Sequence, residues 1–480
     1  MPKRERGILG FVKPSTPILF SAQGETWPSD DSDDDYGTSI KVKPKKKTRK
    51  KRTNRYSKTC KEISPDRQAT DNAWQSAVPP EILFKIFKHV TDTEGALPFL
   101  CRVSAVCILW HRVASDEHLW CNVDLSYGWI KKQASWLLWL SEHRLQQVRI
   151  LNLSGWKISD LKVESALKVI VENCKQLESI GLSRCKVPPT TLQLLTSCDN
   201  LKGIDLSHVE SASKRKYQNA LKQLLEVKGK NLEDIRLAGC LCNLSKIIIY
   251  LMAYCPNLVL VDISNPSYGW ANIDIDKFQA SCPRLKVFRA ANTALTATGN
   301  HIESQWCGFA ELEEFTIPSY KINDNGQFLF RFLRGSRKLR LLDIRDCVFN
   351  LESLLFLSCL TIEYLYLSRC SITDTTLEQI IASWASSLID MDISWNPVGE
   401  EGLHSCLLTL AQDATQLQIL NLAGTTANPH GVRSVIGGCG KLQSLNLTSC
   451  RCMPRGVKRQ FDGKKQLKEL RRSLNAQQDS

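Results

Sequence analysis

The chain has 480 residues, more than one ordinary globular core accommodates, so several domains or an open-ended repeat array are expected. Its 43% hydrophobic and 23% charged residues exclude disorder along the whole length. The net charge of +14 belongs to the two ends, because residues 71–450 carry 37 basic and 37 acidic side chains. The excess charge therefore indicates two basic tails on either side of a neutral body.

Membrane insertion, secretion and metal binding are not predicted. The first apolar run, residues 8–12, is too short for a signal peptide, and the apolar stretch at 247–261 contains Pro256 and is too short to span a membrane. The 19 cysteines include no CxxC pair, and the two CxC pairs have no histidine nearby. We therefore expect a soluble intracellular protein without disulfides, metal sites or cofactors.

Residues 1–70 are predicted to form a disordered, charged tail. The acidic run at 30–35 and the basic run at 41–58 are of low complexity and poor in apolar residues. The densest part of the basic run is similar to a nuclear import signal and consists of Lys45, Lys46, Lys47, Arg49, Lys50, Lys51 and Arg52. A nuclear location is favoured over a cytoplasmic one, although such a run also serves non-specific RNA contact or solubility.

Residues 71–125 are predicted to form a small three-helix module. Pro80 can begin the first helix, because proline is tolerated at the first helical position. Its apolar face at helical spacing consists of Ile82, Leu83, Ile86 and Phe87. A second helical stretch runs from Leu100 to Trp110, and a third element closes on Leu119 and Trp120. So small a core is expected to depend on a partner or on the segment that follows.

Residues 126–450 contain one pattern twelve times, as in CKQLESIGLSRC (174–185) and GKNLEDIRLAGC (229–240). Counted from the first apolar residue as position zero, further apolar residues follow at +3 and +5 and a cysteine or small residue at +8. The zero positions are Val148, Leu177, Leu201, Leu232, Leu258, Leu285, Leu312, Leu339, Ile362, Leu388, Leu417 and Leu442. Their mean spacing of 26.7 residues is typical of leucine-rich repeats.

Each repeat is predicted to be a short strand followed by a helix. The apolar residues at +3 and +5 alternate with one outward residue, as a half-buried strand requires. Downstream, Leu377, Ile380 and Ile381 share one helical face, with Thr373 or Asp374 as the helix cap. Because one such unit cannot bury its apolar side alone, we expect an α/β solenoid, a horseshoe of about twelve stacked repeats.

Eleven of the 19 cysteines occupy two slots of this repeat. The +8 slot holds Cys185, Cys240, Cys347, Cys370 and Cys450, and the slot three residues before zero holds Cys174, Cys198, Cys255, Cys282, Cys359 and Cys439. At these slots cysteine is expected to be a small, buried and inert residue with a weak S–H donor.

This cysteine-containing repeat resembles that of the F-box/LRR proteins, and residues 78–120 are similar to the F-box. The LPxEILxxIFxxL start of the family corresponds to residues 78–90, its VCxxW element to residues 106–110 and its DPxLW ending to residues 116–120. The departures are Val78 for Leu, Ile108 for Arg and Glu117 for Pro. Within the array, residues 434–459 are especially similar to one subgroup of that family.

The resemblance implies the substrate-recognition subunit of a Skp1–cullin–F-box ubiquitin ligase, with no catalytic residues and no cofactor. The implied partners are Skp1, through it a cullin–RING ligase, and an unidentified protein substrate. The residues implied to bind Skp1 are Val78, Pro79, Pro80, Glu81, Ile82, Leu83, Ile86, Phe87, Val106, Trp110, Leu119 and Trp120. A helical cap for the array is the alternative interpretation of this segment, and the two roles are compatible.

A target is expected to contact outward strand positions on the concave face of the array. The predicted target-binding residues are Arg236, Asp262, Arg289, Asp343, Arg345, Tyr364, Tyr366, Asp390 and Asp392. Their mixed charges and tyrosines suit charge selection and aromatic anchoring. The alternative is that an aspartate between two strand apolars is a solvated residue of the repeat itself.

The two ends of the array and two other functions complete the predictions. A degenerate first strand is expected near Val123, and residues 451–480 are expected to form a basic cap or tail. A short helix there is indicated by Val457, Phe461, Leu467 and Leu470. A nuclear LRR scaffold outside any ligase, or an enzyme with no recognisable motif, stays open as an alternative function.

Overall fold

The structure, a computed structural model, describes residues 78–476 except 129, 131, 158–160, 300–307, 323–325, 348–353, 355–360 and 457. Its strands are β1 (Asn122–Asp124), β2 (Ile150–Asn152), β3 (Ser179–Gly181), β4 (Gly203–Asp205), β5 (Asp234–Arg236), β6 (Leu260–Asp262), β7 (Trp270–Asp274), β8 (Val287–Arg289), β9 (Ala294–Thr298), β10 (Glu314–Thr316), β11 (Leu341–Asp343), β12 (Tyr364–Tyr366), β13 (Asp390–Asp392), β14 (Ile419–Asn421), β15 (Ser444–Asn446) and β16 (Gln460–Asp462). The predicted charged tail and import signal lie outside the described residues.

The helices are α1 (Pro80–Glu94), α2 (Phe99–Val103), α3 (Ile108–Ala114), α4 (Ala134–His143), α5 (Leu161–Asn173), α6 (Pro189–Leu195), α7 (Lys214–Lys228), α8 (Leu244–Tyr254), α9 (Ile275–Ser281), α10 (Gln327–Leu333), α11 (Asp374–Trp384), α12 (Glu400–Asp413), α13 (Pro429–Gly438) and α14 (Lys464–Ala476). Two short 3-10 helices cover Glu117–Leu119 and Gly229–Asn231. Within the described part of the chain, no helix combines the length and the apolar character needed to cross a membrane.

A sheet of 14 strands runs through the described residues in the order β1-β2-β3-β4-β5-β6-β8-β10-β11-β12-β13-β14-β15-β16. All neighbours pair in parallel except the last two, β15 and β16, which are antiparallel. Each of the twelve predicted repeats supplies one strand, which begins two residues after its zero position. The predicted leucine-rich-repeat solenoid is confirmed, and β1 is the degenerate first strand expected near Val123.

The repeat core forms as the pattern predicts. Side chains at +3 and +5 are buried, and in the middle of the array a group of phenylalanines packs between sheet and helices. Phe309 stacks on Phe332 with ring centroids 4.6 Å apart, and Phe288 lies 4.7 Å from the same ring. In α11 the cap is Thr373, whose side chain accepts a hydrogen bond from the Thr376 N–H, and Leu377, Ile380 and Ile381 are buried.

In every repeat, a residue with a left-handed backbone conformation follows the strand, at position +7. The residues with positive φ there are Gly155, Arg184, His208, Gly239, Asn265, Asn292, Ser319, Asp346, Arg369, Trp395, Gly424 and Ser449. In each of the first eleven repeats, the N–H of this residue donates to a carbonyl of the next repeat, as from Trp395 to Ala423 at 2.7 Å. The strain is therefore offset by extension of the inter-repeat hydrogen-bond ladder beyond the strand.

A second, two-stranded sheet, β7 with β9, lies outside the main sheet. It is parallel and pairs Trp270 with Ala294 and Asn272 with Thr296. The strand β7 takes the place of the usual direct passage from strand to helix in the repeat that begins at Leu258 and leads into α9. The sequence analysis did not predict this sheet.

Both ends of the array are covered. At the C-terminal end, β16 and α14 bury Phe461, Leu467 and Leu470, so the segment predicted as a cap or tail contains a strand and a helix. At the N-terminal end, the predicted second helical stretch is two helices, α2 and α3. The break falls before Ile108, because Cys107 is the cap of α3 and accepts a hydrogen bond from the Trp110 N–H.

Candidate functional site

The helix α1 carries two separate rows of apolar side chains. Leu83 and Phe87 are four residues apart and are buried. Ile82 and Ile86 form the neighbouring row and are 46% and 51% exposed. The four side chains lie on one side of the helix, as predicted, but the module's other helices cover only the row of Leu83 and Phe87.

The buried row holds the module together. The Phe87 ring packs edge-on against Phe99 and Trp110, with centroids 5.3 and 5.4 Å away. Leu119 and Trp120 are also buried, and the indole N–H of Trp120 donates to the Ala114 carbonyl at 3.0 Å. Of the residues predicted to bind Skp1, four are therefore core residues that shape the module and do not offer a contact surface: Leu83, Phe87, Leu119 and Trp120.

Exposed apolar side chains are concentrated in this module. Val106 and Ile108, which lie just before and at the start of α3, are 60% and 76% exposed. With Ile82 and Ile86 they form what we call the exposed F-box set. It contains four of the ten large, exposed hydrophobic side chains of the described residues, within a segment of 27 residues. Water-exposed apolar groups at this density indicate a binding surface.

The remaining predicted adaptor-binding residues surround this set. Pro79, Pro80 and Glu81 are exposed at the start of α1, and Val78 and Trp110 are partly buried. Because α1 packs against α3, the two helices that carry the exposed F-box set have a fixed relation to each other. The residue missed by the sequence analysis is Ile108. The sequence analysis mentioned it only as a departure from the usual arginine. An isoleucine at the start of a helix, outside the predicted core positions, could have been recognised as an exposed apolar contact residue.

Hydrogen bonds of the described residues join the module to the array. The N–H of Ala96 donates to the Asn122 carbonyl at 2.8 Å, which ties the α1–α2 connection to β1. Lys88 reaches the His118 carbonyl at 3.1 Å, and the guanidinium of Arg144 in α4 donates to the Ser115 hydroxyl at 3.1 Å. Strand β1 itself pairs with β2 of the first repeat, so helices and array share one hydrogen-bonded framework.

The aspartates and asparagines at position +4 have a structural role in the repeat. Their side-chain oxygens accept hydrogen bonds of 2.8–3.3 Å from the N–H at +6 in seven repeats. The residues are Asn152, Asp205, Asp262, Asp343, Asp392, Asn421 and Asn446. Asp262, Asp343 and Asp392, predicted to bind a target, therefore stabilise the turn after their strand, as the alternative interpretation required.

Five of the predicted target-binding residues lie on three adjacent strands, β11, β12 and β13. Asp343 and Arg345 form a two-bond ion pair, with distances of 2.9 and 2.7 Å. The Arg345 guanidinium also lies over the Tyr366 ring, 5.4 Å from its centroid, and the Tyr366 hydroxyl donates to Asp390 at 2.9 Å. This network, together with Asp392 on the same face, is a pre-ordered polar surface in which the arginine charge is already neutralised.

Burial changes the titration of this network. It raises the pKa of the Asp390 carboxyl to about 6, against the lowering effect of the Tyr366 hydrogen bond. Burial, followed by the charge of Asp390, raises the pKa of the Tyr366 phenol, so this hydroxyl stays a donor. The hydrogen bond from tyrosine to aspartate is thus a stable feature of the surface at neutral pH.

The two arginines predicted on β5 and β8 are also paired within the protein. Arg236 contacts Asp234 two residues before it at 3.1 Å, and Arg289 contacts Glu314 on the adjacent strand β10. The sequence analysis missed both acidic partners, although each occupies position +2, which faces the same side of the strand as +4. Tyr364 lies partly exposed on the same sheet face.

The repeat cysteines behave as predicted for small buried residues. Ten of the eleven lie in the described part of the chain, and all ten are buried. At +8, the thiols of Cys185, Cys347, Cys370 and Cys450 donate to the +5 carbonyl of the preceding repeat at 3.1–3.3 Å. Cys359 lies outside the described residues.

Burial also makes most of these thiols poor nucleophiles. It raises the pKa of Cys174, Cys255, Cys282 and Cys370 to about 12. Cys240 differs, because its pKa is lowered by hydrogen bonds from Cys242, whose backbone N–H lies 3.3 Å from its sulfur. Among the described residues, no group of three or more His, Cys, Asp and Glu side chains is placed to hold a metal ion.

Comparison with known proteins agrees with this geometry. Residues 76–126 match the F-box-like family. Over 202 aligned residues, 36% of this chain, the sequence is 25% identical to F-box/LRR-repeat protein 4 of Bos taurus, and the match spans 31% of that protein. Similar solved structures include a chain of the yeast Rad7–Elc1 complex (TM-score 0.43, 12% identity, 80% of this chain and 92% of that one) and a Listeria monocytogenes internalin (0.40, 17%, 63% and 82%).

The chain thus combines an F-box-like domain with a leucine-rich-repeat array, and over part of its length it is similar to an F-box/LRR protein. The finer resemblance of the sequence, to F-box/LRR-repeat protein six, is not confirmed by these matches and stays a prediction.

Proposed function

We propose that this protein is the substrate-recognition subunit of a Skp1–cullin–F-box ubiquitin ligase. The observation that supports this most strongly is the exposed F-box set, Ile82, Ile86, Val106 and Ile108, on a domain whose core is already complete without them. F-box proteins generally act as adaptors of such ligases, so the expected occupant of this surface is Skp1.

In this proposal the chain contributes geometry and no covalent chemistry. The F-box attaches it to the ligase, and the array holds a target, so that target lysines meet the ubiquitin-charged enzyme at high effective concentration. The pairing of β1 with β2 and the hydrogen bond from Ala96 to Asn122 suit this role, because they fix the module against the first repeat. We therefore propose a non-catalytic adaptor.

Binding of purified full-length protein to purified Skp1, measured by isothermal titration calorimetry, tests the proposal. Ile82→Asp with Ile86→Asp should lower the affinity by at least about thirtyfold, since a charge in a desolvated interface costs 2 kcal/mol or more. Ile249→Asp in α8 is the matched control, because this isoleucine is 55% exposed and belongs to the array. Thermal unfolding of each variant should stay close to that of the unsubstituted protein.

Two results would contradict the proposal: no complex between the unsubstituted chain and Skp1 at micromolar concentration, or equal losses in the α1 variant and the Ile249→Asp control. Either would favour the alternative, an LRR scaffold that acts outside a ligase. Phe87→Ala does not discriminate, because it would remove a buried core ring.

For the target, we propose the sheet face between Arg236 and Asp392 as the contact surface. The structure changes the choice of test residue. Asp392 accepts a hydrogen bond from the backbone of its own turn and Tyr366 donates one to Asp390, so substitution of either would also disturb the array itself. Tyr364→Ala alters the same face without removing any of these bonds. Affinity purification with cullin activation blocked should recover fewer trapped targets from this variant while Skp1 recovery is unchanged; undiminished target recovery would exclude a role for Tyr364.

We also propose that the protein enters the nucleus through its basic segment, Lys45 to Arg52. Deletion of residues 41–55 from a fluorescently tagged full-length chain should shift it to the cytoplasm, and replacement of the deleted segment by a known import signal should restore the nuclear location. Persistent nuclear accumulation after the deletion would contradict this role.

A further inference from the structure

The outer face of the small sheet β7–β9 presents two bare aromatic rings. Tyr268 and Trp270 are both 58% exposed, although large aromatic side chains usually bury most of their surface. They are two residues apart along an extended segment, so their side chains project to the same side from Cα atoms roughly 6.6 Å apart. Asn272 is exposed on the same side and lies opposite Thr296 on β9.

The face of this sheet is open, whereas its flanks are occupied. On one side, Asn243 forms a β-bridge with Tyr268, and the Ser245 hydroxyl donates to the Trp270 carbonyl at 3.5 Å. On the other side, the Lys321 N–H donates to the Thr293 carbonyl at 2.9 Å. A ligand that contacts both rings therefore approaches them from the exposed face of the sheet.

Five cationic side chains lie on segments that flank this small sheet, in the repeats that begin at Leu201, Leu232 and Leu312. They are Lys214, Arg215 and Lys216 in the first turn of α7, Lys246 in α8 and Lys321 before α10. All five are exposed, and none forms an ion pair with another described residue. The ammonium of Lys214 lies 5.4 Å from the centroid of the Tyr268 ring, so the charged groups adjoin the aromatic ones.

Helix stability does not explain the basic turn. Three cations at the N-terminal end of a helix oppose its dipole, and the first turn of α7 contains no acidic residue. The carboxylates nearest in sequence are already paired: Asp274 with Lys277 at 3.3 Å, Glu210 with Lys186 at 3.6 Å, and Asp276 with Arg331 at 2.8 Å. The surface is therefore locally cationic although the body of the chain is neutral overall.

We propose that this surface, Tyr268, Trp270 and the five cations around them, binds a single-stranded nucleic acid. Successive bases stack on rings that project from every second residue of a strand, and the surrounding cations neutralise their phosphates. Beside the rings, the Thr296 hydroxyl donates to the side-chain oxygen of Asn272, so the Asn272 amide N–H groups are directed to base edges. An acidic peptide would pair with the cations, but it would leave the two exposed rings without a stacking partner.

Fluorescence anisotropy of a labelled 12-nucleotide oligouridylate with the full-length protein tests this inference. Trp270→Ala should lower the affinity by about tenfold, because stacking contributes about 1–3 kcal/mol per base. Trp395→Ala, which removes a ring 49% exposed elsewhere in the array, is the matched aromatic control and should change the affinity by less than twofold.

The charges are tested in the same assay. Substitution of Lys214, Arg215 and Lys216 by Glu should make the negative slope of log affinity against log salt concentration shallower by about 2. The matched control reverses Lys464, Lys465 and Lys468 on α14, which are equally exposed but lie on the C-terminal cap.

Loss of binding in the Trp270 and α7 variants alone supports the inference. It is overturned if the oligonucleotide binds with equal strength to the Trp270→Ala protein, since binding then depends on the basic tails. It is also overturned if a polyglutamate peptide displaces the oligonucleotide and loses affinity only in the charge variant, because the surface would then be a site for acidic peptides.

Discussion

Two helical covers close the ends of one repeat array, and they differ in what they leave exposed. At the C-terminal end, α14 buries Leu467, Leu470 and Leu474, and its other described side chains are polar. At the N-terminal end, α1 buries Leu83 and Phe87 and still presents a second apolar row to water. A cover needs one apolar face. The second apolar row is therefore the difference between the two ends, and it is the feature on which the proposed binding of Skp1 rests.

The largest effect is expected from the buried row of the N-terminal cover. Phe87→Ala should destabilise the F-box module by about 3–5 kcal/mol, because it empties a site enclosed by Phe99 and Trp110. Urea unfolding with hydrogen exchange of α1–α3 measures this. Ile86→Ala, one residue away, should change stability by about 0.5 kcal/mol or less; similar losses for both would show that the two rows are not distinct.

At the other cover, Leu470→Ala should cost about 2–5 kcal/mol of local stability for the same reason. Its Skp1 affinity should stay within twofold of the unsubstituted chain, since α14 lies at the opposite end of the sheet. Calorimetric titration with Skp1 checks this. A loss of adaptor binding in Leu470→Ala would mean that binding reports general stability and would remove the distinction between the covers.

A pH series separates the array from both covers. Because the pKa of Asp390 is raised from 3.8 to about 6, the folded protein disfavours its charged form. The resulting cost, about 3 kcal/mol at most, is present above pH 6 and disappears as the pH falls toward 4.

Asp390→Asn should therefore be more stable than the unsubstituted chain at pH 7, with the difference shrinking between pH 6 and pH 4 in urea unfolding. Tyr366→Phe removes a hydrogen bond that lowers this pKa, so it should shift the transition to higher pH. A pH-independent difference between Asp390→Asn and the parent would contradict the assignment.

The smallest effect is expected at the surface of the N-terminal cover. Ile108→Arg introduces the residue usual in the F-box pattern at a side chain that is 76% exposed, so stability should change by about 0.5 kcal/mol or less. Skp1 affinity should fall by a few-fold at most, because one apolar side chain of the exposed F-box set is lost while the aliphatic part of the arginine still covers part of its surface. Val106→Asp, which places a charge in the same set without such an aliphatic stem, should lower it further.

Periodicity alone located the twelve repeats and their strands. Every strand begins two residues after its predicted zero position. The side chains at +3 and +5 pack against those of the neighbouring repeats, so a shift of one strand would expose apolar surface in those repeats as well. The cap at Thr373 and the thiol donors at +8 followed from the same local rules. The three predicted aspartates at +4, Asp262, Asp343 and Asp392, accept hydrogen bonds from the backbone of their own turns.

The left-handed residue at +7 could have been recognised in part. Gly155, Gly239 and Gly424 occupy it, and glycine favours positive φ. At Gly424 a β-carbon would lie 2.4 Å from the Trp395 ring, so the close approach of neighbouring repeats adds a second requirement. Trp395 itself adopts φ of 58°, which no propensity predicts, because a carbonyl of the next repeat holds its N–H.

Sequence by itself determined the elements that depend on near neighbours along the chain: the repeat length, the strand positions, the buried cysteines and the F-box pattern. Tertiary structure alone decided which of two adjacent apolar residues faces water, which charges pair across strands, and where Tyr268 and Trp270 meet Lys214. The physical reason is that a periodic pattern specifies a face of an element, whereas exposure and ion pairing depend on which other element packs against that face.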